Sequence, residues 1–395
     1  MIQTGYADGN KIRLLHNGSE YFTALEQAID TAELEIHFET YIFKNDLIGH
    51  KIAAALIRAA NRGVSVYLLI DGFGSYMLPD SFIQRMLDAN VKVLVYRREV
   101  LFFKLRRYRL RRMHRKLVVI DACIAFVGGI NIIDDFEQLR DEQIPRFDYA
   151  VLIEGPLLKK IYAATQRLWL IVAWAHFRKR WANNIKLQPT GEYKGNQFAG
   201  FLIRDNIRHR HDIEQAYLEA IHNAQNEIII ANAYFLPGIY FCNALNKAAR
   251  RGVNVILLLQ GRVEYRLQHY ATHALYGNLL DAGIKIYEYS KGYLHAKVAV
   301  IDRYWATVGS SNIDPFSLML AREANVVIQD KILANQLRAS LKQAIINEST
   351  LVARTGWQSK SWLYHATNWL SYYVIYYAQS ILGYGQKKTN HNSNA

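Results

Sequence analysis

Cysteine is scarce in this chain: only Cys123 and Cys242 occur in 395 residues, each in an apolar or hairpin-like setting. That excludes a disulfide framework and makes a reducing compartment the expectation. There is no G-x-x-x-x-G-K-[ST] loop, so nothing is built to cradle the phosphates of a nucleotide, and no cofactor is expected. No set of His, Cys and carboxylate residues falls at ligand spacing, so no metal is expected either. The segment from Met1 to Asp8 lacks a basic stretch leading into an apolar one. No signal peptide is therefore predicted, which would keep the protein on the cytoplasmic side. Acids are also in deficit, with 34 Asp and Glu against 48 Lys and Arg, for a net charge of +14. Such a balance points to an anionic partner, nucleic acid or acidic lipid.

What the chain does have, it has twice. His114-Arg-Lys-Leu-Val-Val-Ile-Asp121 is followed by Gly128-Gly-Ile-Asn131, and His295-Ala-Lys-Val-Ala-Val-Ile-Asp302 by Gly309-Ser-Ser-Asn312. Ahead of these, Arg58 to Gly72 mirrors Lys247 to Gly261, and Leu87 to Val93 mirrors Leu280 to Ile286. Self-similarity that recurs once, at about half the chain length, reads as a duplicated domain. Each copy alternates helical patterns ending in Arg-Gly with short β-branched apolar runs, which predicts α/β halves with largely buried mixed sheets packed side by side. The expected boundaries are residues 1–160 and 201–350 for the halves, with 161–200 as a linker that begins apolar and ends basic. Residues 351–395 form an aromatic segment and polar tail.

The spacing carries chemistry. On a strand, the period of two puts His114 and Lys116 on one face, and likewise His295 and Lys297. Asp121 and Asp302, at odd offsets, face away, and an apolar run follows each. A place at a hairpin turn is at least as good a reading for them as direct catalysis. Lysine beside each histidine would repel a cation, so phosphate is the better ligand. Lys116, Lys297, Asn131 and Asn312 can supply charge and donors to its non-bridging oxygens. One histidine would attack phosphorus while the other passes a proton to and from the alcohols. Asp148 and Glu323 occupy equivalent places in later β-like runs, and either can orient a histidine or form a surface ion pair.

Between Tyr96 and His114 the first half carries an insertion of about a dozen residues, in which Phe102, Phe103 and Tyr108 alternate with Arg106, Arg107, Arg109, Arg111 and Arg112. That mixture suits a bilayer interface; a solvated basic loop and a nucleic-acid groove are the other readings. The stretch from Trp362 to Tyr384 holds eight aromatics, Trp369 and Tyr373 among them, but His365, Asn368, Ser371 and Gln379 interrupt it. It is expected to lie on or dip into the membrane at headgroup level, with packing on the second half as the alternative.

The doubled H-x-K-x4-D phrase resembles the signature of the phospholipase D superfamily. Asn232-Ala-Tyr-Phe-Leu-Pro-Gly238 and Ala306 to Leu318 are similar to bacterial cardiolipin synthases, above all the type without N-terminal transmembrane helices. The resemblance covers nearly everything from Arg13 to Gln329. It implies two duplicated phospholipase D-like α/β/α halves with the active site at their interface, and Asp148 and Glu323 as orienting acids. It further implies His114 as nucleophile, His295 as acid, and phosphatidylglycerol as substrate. The implied partner is the anionic phospholipid bilayer of a bacterial inner membrane, bound peripherally on its cytoplasmic face, with no nucleic acid. A superfamily nuclease and an inactive binding module are the competing classes; intact motif positions in both copies speak against the second.

Overall fold

The computed structural model describes residues 5–97, 111–135, 145–182, 187–205, 209–314 and 321–379. In the first half the apolar runs form β1 (Tyr6–His16), β2 (Glu35–Thr40), β3 (Ser65–Asp71), β4 (Lys92–Tyr96), β5 (Arg112–Met113), β6 (Leu117–Ile120), β7 (Ile124–Gly128) and β8 (Tyr149–Glu154). The second half gives β9 (Gln197–Arg204), β10 (Glu227–Asn232), β11 (Asn254–Gln260), β12 (Lys285–Tyr289), β13 (Lys297–Ile301), β14 (Trp305–Gly309), β15 (Ala321–Gln329) and β16 (Ser349–Leu351). Strands β2, β3 and β4 run parallel, as do β10, β11 and β12. Helices make the crossovers that parallel pairing requires. Between β2 and β3 that helix is Leu47–Asn61, which buries Ile52, Ala53, Leu56 and Ala59 and is N-capped by Asp46, whose carboxylate accepts the Gly49 amide at 2.8 Å.

The two sheets do more than lie side by side. They join along an antiparallel seam, Tyr6 opposite Gly200 and Ala7 opposite Ala199, giving the order β4-β3-β2-β6-β7-β8-β1-β9-β15-β14-β13-β10-β11-β12-β16. Read outward from the β1–β9 seam, the two halves follow the same order, as a duplication related by a pseudo-twofold would. One core cluster draws on both halves at once, with Val119 and Val151 from the first, Val298 and Val326 from the second, and Ile161 and Leu337 from two long helices. Burial of one shared core fixes the halves against each other without a disulfide.

The helix Leu158–Ala175 lays Leu168, Trp169 and Val172 on Tyr67, Leu69 and Leu94. The apolar opening of the expected linker is thus packed onto the first sheet.

Both signature hairpins turn the same way. Asp121 and Ala122 take φ of 50° and 53°, and Asp302 and Arg303 take 51° and 57°. This left-handed pair is strained for residues other than Gly, Asn or Asp, and it is the conformation a tight hairpin turn needs. Each Asp carboxylate offsets the strain by accepting three backbone amides. Asp121 binds those of Glu33, Leu34 and Glu35 at 2.8–2.9 Å; Asp302 binds those of Gln225, Asn226 and Glu227 at the same distances.

The C-terminal helix Trp362–Gln379 is amphipathic in an inverted sense. Its polar Asn368 and Ser371 are buried, and Ile375 packs on Leu236 and Ala271. Trp362, Leu363, Trp369, Leu370, Tyr373 and Tyr377 point outward.

Candidate active site

The histidines sit on the extended lead-ins to β6 and β13 rather than within the strands. Alternation still governs them. Lys116 Nζ donates to the His114 carbonyl at 2.7 Å, and Lys297 Nζ to that of His295. The intervening Arg115 turns into the first half, where it is buried against Glu39 at 2.7 Å.

Each lead-in is stitched to the opposite half. The His114 amide donates to the Arg322 carbonyl at 3.0 Å, and the His295 amide to the Phe147 carbonyl at 2.9 Å. Those carbonyls belong to the residues just before Glu323 and Asp148. The side chains then complete a crossed arrangement: His114 Nδ1 lies 2.9 and 3.1 Å from the two oxygens of Glu323, and His295 Nδ1 lies 2.6 Å from Asp148 Oδ2. Both acids and both lysines are buried, while the imidazoles keep 15% and 12% of their side-chain surface. A carboxylate on Nδ1 fixes a tautomer with the Nε2 edge free for chemistry.

The acids are held differently. Gly129 passes so close to Asp148 that a Cβ there would meet its Oδ1 at 2.3 Å, and the Tyr149 amide donates to the same oxygen at 2.8 Å. At the position equivalent to Gly129, the Ser310 hydroxyl instead donates to Glu323 Oε2 at 2.5 Å.

Burial dominates the electrostatics. It lowers Lys116 to about 7 and Lys297 to about 8, the first aided by the neighbouring charge of Lys297. Burial raises Asp148 to about 6 against the pull of Lys297. His114 is lowered by burial, with Glu323 opposing. His295 falls well below its usual value through burial and then the nearby basic groups Lys297, Arg146, Lys116 and His114. Several groups that cannot all be charged at once, buried together, make a site ready for an anion.

Asn131 is buried with its Oδ1 accepting the Ile42 amide at 3.2 Å, which turns its NH2 edge elsewhere; Asn312 is buried at the matching place. Asp121 and Asp302, counted among the signature residues, are at the far ends of the hairpins. Their carboxylates are committed to backbone amides, so their role is to anchor the turns and not to touch a reacting group. Phe102, Phe103, Arg106 and Arg107 lie outside the described residues. Among the described residues no group of His, Cys, Asp and Glu could hold a metal ion, and no helix is long and apolar enough to cross a membrane.

Sequence reasoning missed Asp71 and Gln260, although the repeat aligns them. Asp71 Oδ2 accepts the Met113 amide at 2.8 Å, and Gln260 Oε1 accepts the Leu294 amide at 2.7 Å. Each fixes the residue immediately before a histidine. Tyr41, whose ring meets His114 edge-on at 4.7 Å, was also missed; the second copy has Ala233 there, so the repeat gives no signal.

The fold has solved counterparts. A phosphatidylserine synthase from Haemophilus influenzae superposes with a TM-score of 0.67 at 13% identity, covering 94% of both chains. A polyphosphate kinase from Porphyromonas gingivalis gives 0.54 at 12% identity, covering 94% of this chain and 53% of the kinase. In sequence the chain is 38% identical over 390 residues to cardiolipin synthase B of Salmonella typhi, covering 99% of this chain and 94% of the relative. Cardiolipin synthase B of Escherichia coli K12 is also 38% identical, over 97% and 92%. Residues 25–150 and 217–345 each match the family described as cardiolipin synthase, PLD-like domain. The chain belongs to the phospholipase D-like cardiolipin synthase family, with one family unit in each half of its duplication.

Proposed function

We propose that this chain is a phosphatidyltransferase that makes cardiolipin from two phosphatidylglycerol molecules and releases glycerol. In the first step His114 Nε2 attacks phosphorus, and the P–O bond to the headgroup breaks as His295 gives its proton to the departing glycerol oxygen. In the second, the terminal hydroxyl of another phosphatidylglycerol loses its proton to His295 and attacks phosphorus. The P–N bond breaks, and its electron pair returns to His114. A phosphodiester is exchanged for a phosphodiester, so no energy source is needed. Lys116, Lys297, Asn131 and Asn312 bind the non-bridging oxygens. The bound anion also opposes the cations that hold His295 neutral, raising its proton affinity when an acid is required.

The observation that carries this reading is the crossed pair of histidine–carboxylate contacts around two buried lysines, in a chain 38% identical over 99% of its length to cardiolipin synthase B. The outward aromatic face of helix Trp362–Gln379 supports peripheral attachment to a bilayer, where Trp and Tyr suit the headgroup level; the proposed surface is the cytoplasmic face of a bacterial inner membrane. The test is incubation of the purified chain with phosphatidylglycerol vesicles and mass spectrometry of the products. Cardiolipin and free glycerol in equal amounts are expected; phosphatidate and glycerol without cardiolipin would make it a hydrolase.

A further inference from the structure

The loops that follow β3 and β11 begin alike, Asp71-Gly-Phe-Gly-Ser-Tyr76 and Gln260-Gly-Arg-Val-Glu-Tyr265, and end up doing different things. In the first half the loop closes on the strand end. Ser75 Oγ donates to the Tyr41 carbonyl at 3.1 Å and accepts the Phe43 amide at 2.9 Å, and a Cβ at Gly74 would lie 2.2 Å from the Tyr41 oxygen. In the second half Val263 and Glu264 stand where Gly74 and Ser75 stand in the first. The loop stays off, and Arg262, at the cleft wall, donates to the Ser290 and Lys291 carbonyls at 3.0 and 2.8 Å. A cleft remains, open to solvent and lined by Gln260, Arg262, Glu264, Tyr265, Gln268 and His269, with Tyr234 beside them.

The cleft wall is bonded to the residues on either side of His295. Gln260 holds the Leu294 amide, and Ala233, which also lines the cleft, donates its amide to the Ala296 carbonyl at 3.0 Å. Such a position, outside the carboxyl ends of parallel strands, is where α/β sheets take ligands. Its lining offers both donors and acceptors. Glu264 accepts the Tyr234 hydroxyl at 2.5 Å through one oxygen. The Gln260 NH2 is buried with no hydrogen-bond partner. Burial and His273 lower His269 to about 4, so its imidazole is neutral at physiological pH. A cationic headgroup would gain little here, because Glu264 is already shared with Tyr234, and Lys297 and Arg146 lie within electrostatic range of the pair.

We propose that this cleft is the subsite for a neutral polyol headgroup, the glycerol of phosphatidylglycerol, both as it leaves and as the next one enters. The inference rests on the phosphatidyl-transfer reading above and deepens it. It also supplies a geometric reason for the division of labour. The alcohol oxygen must meet the proton-transferring histidine, and the cleft flanks His295, which leaves His114 on the far side of phosphorus to attack.

The test uses the full chain, phosphatidylglycerol vesicles and isotopically labelled free glycerol, following label into phosphatidylglycerol by headgroup exchange. Glu264→Ala and, independently, Gln268→Ala should raise the KM for glycerol roughly ten- to a hundredfold, as expected for loss of one or two hydrogen bonds. Their kcat should fall far less, and their preference for glycerol over ethanolamine should shrink. Tyr76→Ala, in the mirrored loop of the first half where Tyr265 stands in the second, should leave the glycerol KM unchanged. Melting temperatures identify any variant that fails to fold, and either substitution suffices alone. Failure of the wild-type chain to incorporate glycerol would overturn the transfer reading itself. Incorporation by wild type, with glycerol KM and headgroup preference unchanged in the variants, would overturn the subsite.

Discussion

The two halves share a backbone and differ in how they fill it. At one pair of positions the first half buries an ion pair, Arg115 with Glu39, where the second places Ala296 and Ala231. A buried pair costs desolvation that its attraction barely offsets, and a small apolar pair does the same packing job. In another pair the first half uses the charged Asp71 and the second the neutral Gln260, yet both accept the amide ahead of a histidine. What is kept across the duplication is therefore contact geometry at the histidines. Charge is free to change wherever a neutral group of the right reach is available.

That comparison can be broken in several ways, the largest first. His114→Ala and His295→Ala should each abolish product, and a phosphatidyl adduct quenched in denaturant at alkaline pH, where a P–N bond survives, should be trapped only in chains that retain His114. Next come the crossed acids. Asp148→Asn and Glu323→Gln should each lower kcat by roughly a hundred- to ten-thousandfold, although each changes the half that does not carry the histidine it serves. The internal ion pair predicts a stability effect. Arg115→Ala alone should cost about 3–5 kcal/mol by leaving Glu39 buried without its partner. The double variant Glu39→Ala/Arg115→Ala, a copy of the second half, should cost less than the sum of the singles in denaturant titrations.

A pH profile sharpens the electrostatic contrast. As pH falls through about 6, Asp148 gains a proton and loses its charge toward His295; as pH rises through about 7 to 8, Lys116 and then Lys297 lose theirs. The kcat/KM for phosphatidylglycerol, which reports the free enzyme, should therefore be bell-shaped with its maximum between those limits. The smallest effect is expected at the surface. Trp362→Ser and Trp369→Ser should weaken vesicle sedimentation while leaving the melting temperature unchanged, because both side chains face outward.

Much of this was legible in the sequence because duplication supplies its own control. Two His-x-Lys phrases in matching surroundings point to the proposed reacting groups, and alternation along a strand puts the lysines with them. The matched acids Asp148 and Glu323 were equally visible. What sequence left open was which histidine each acid serves, since that depends on the β1–β9 seam and on chain segments crossing between halves. Asp121 and Asp302 belong to the signature by spacing, and sequence already offered a hairpin turn for each; their amide contacts show what the carboxylates bind there. The tail shows another limit. Asn368 and Ser371 interrupt an apolar stretch, yet with Ile375 they are the residues buried in the structure, while Trp362, Trp369, Tyr373 and Tyr377 are left outside.

The central claim is that one phosphoryl-transfer centre is shared by both halves and wired crosswise. It is tested most directly by the 15N chemical shifts of the two imidazoles in Asp148→Asn. The account predicts that the ring nitrogens of His295 lose their fixed tautomer while those of His114 keep theirs; a change confined to His114 would contradict it.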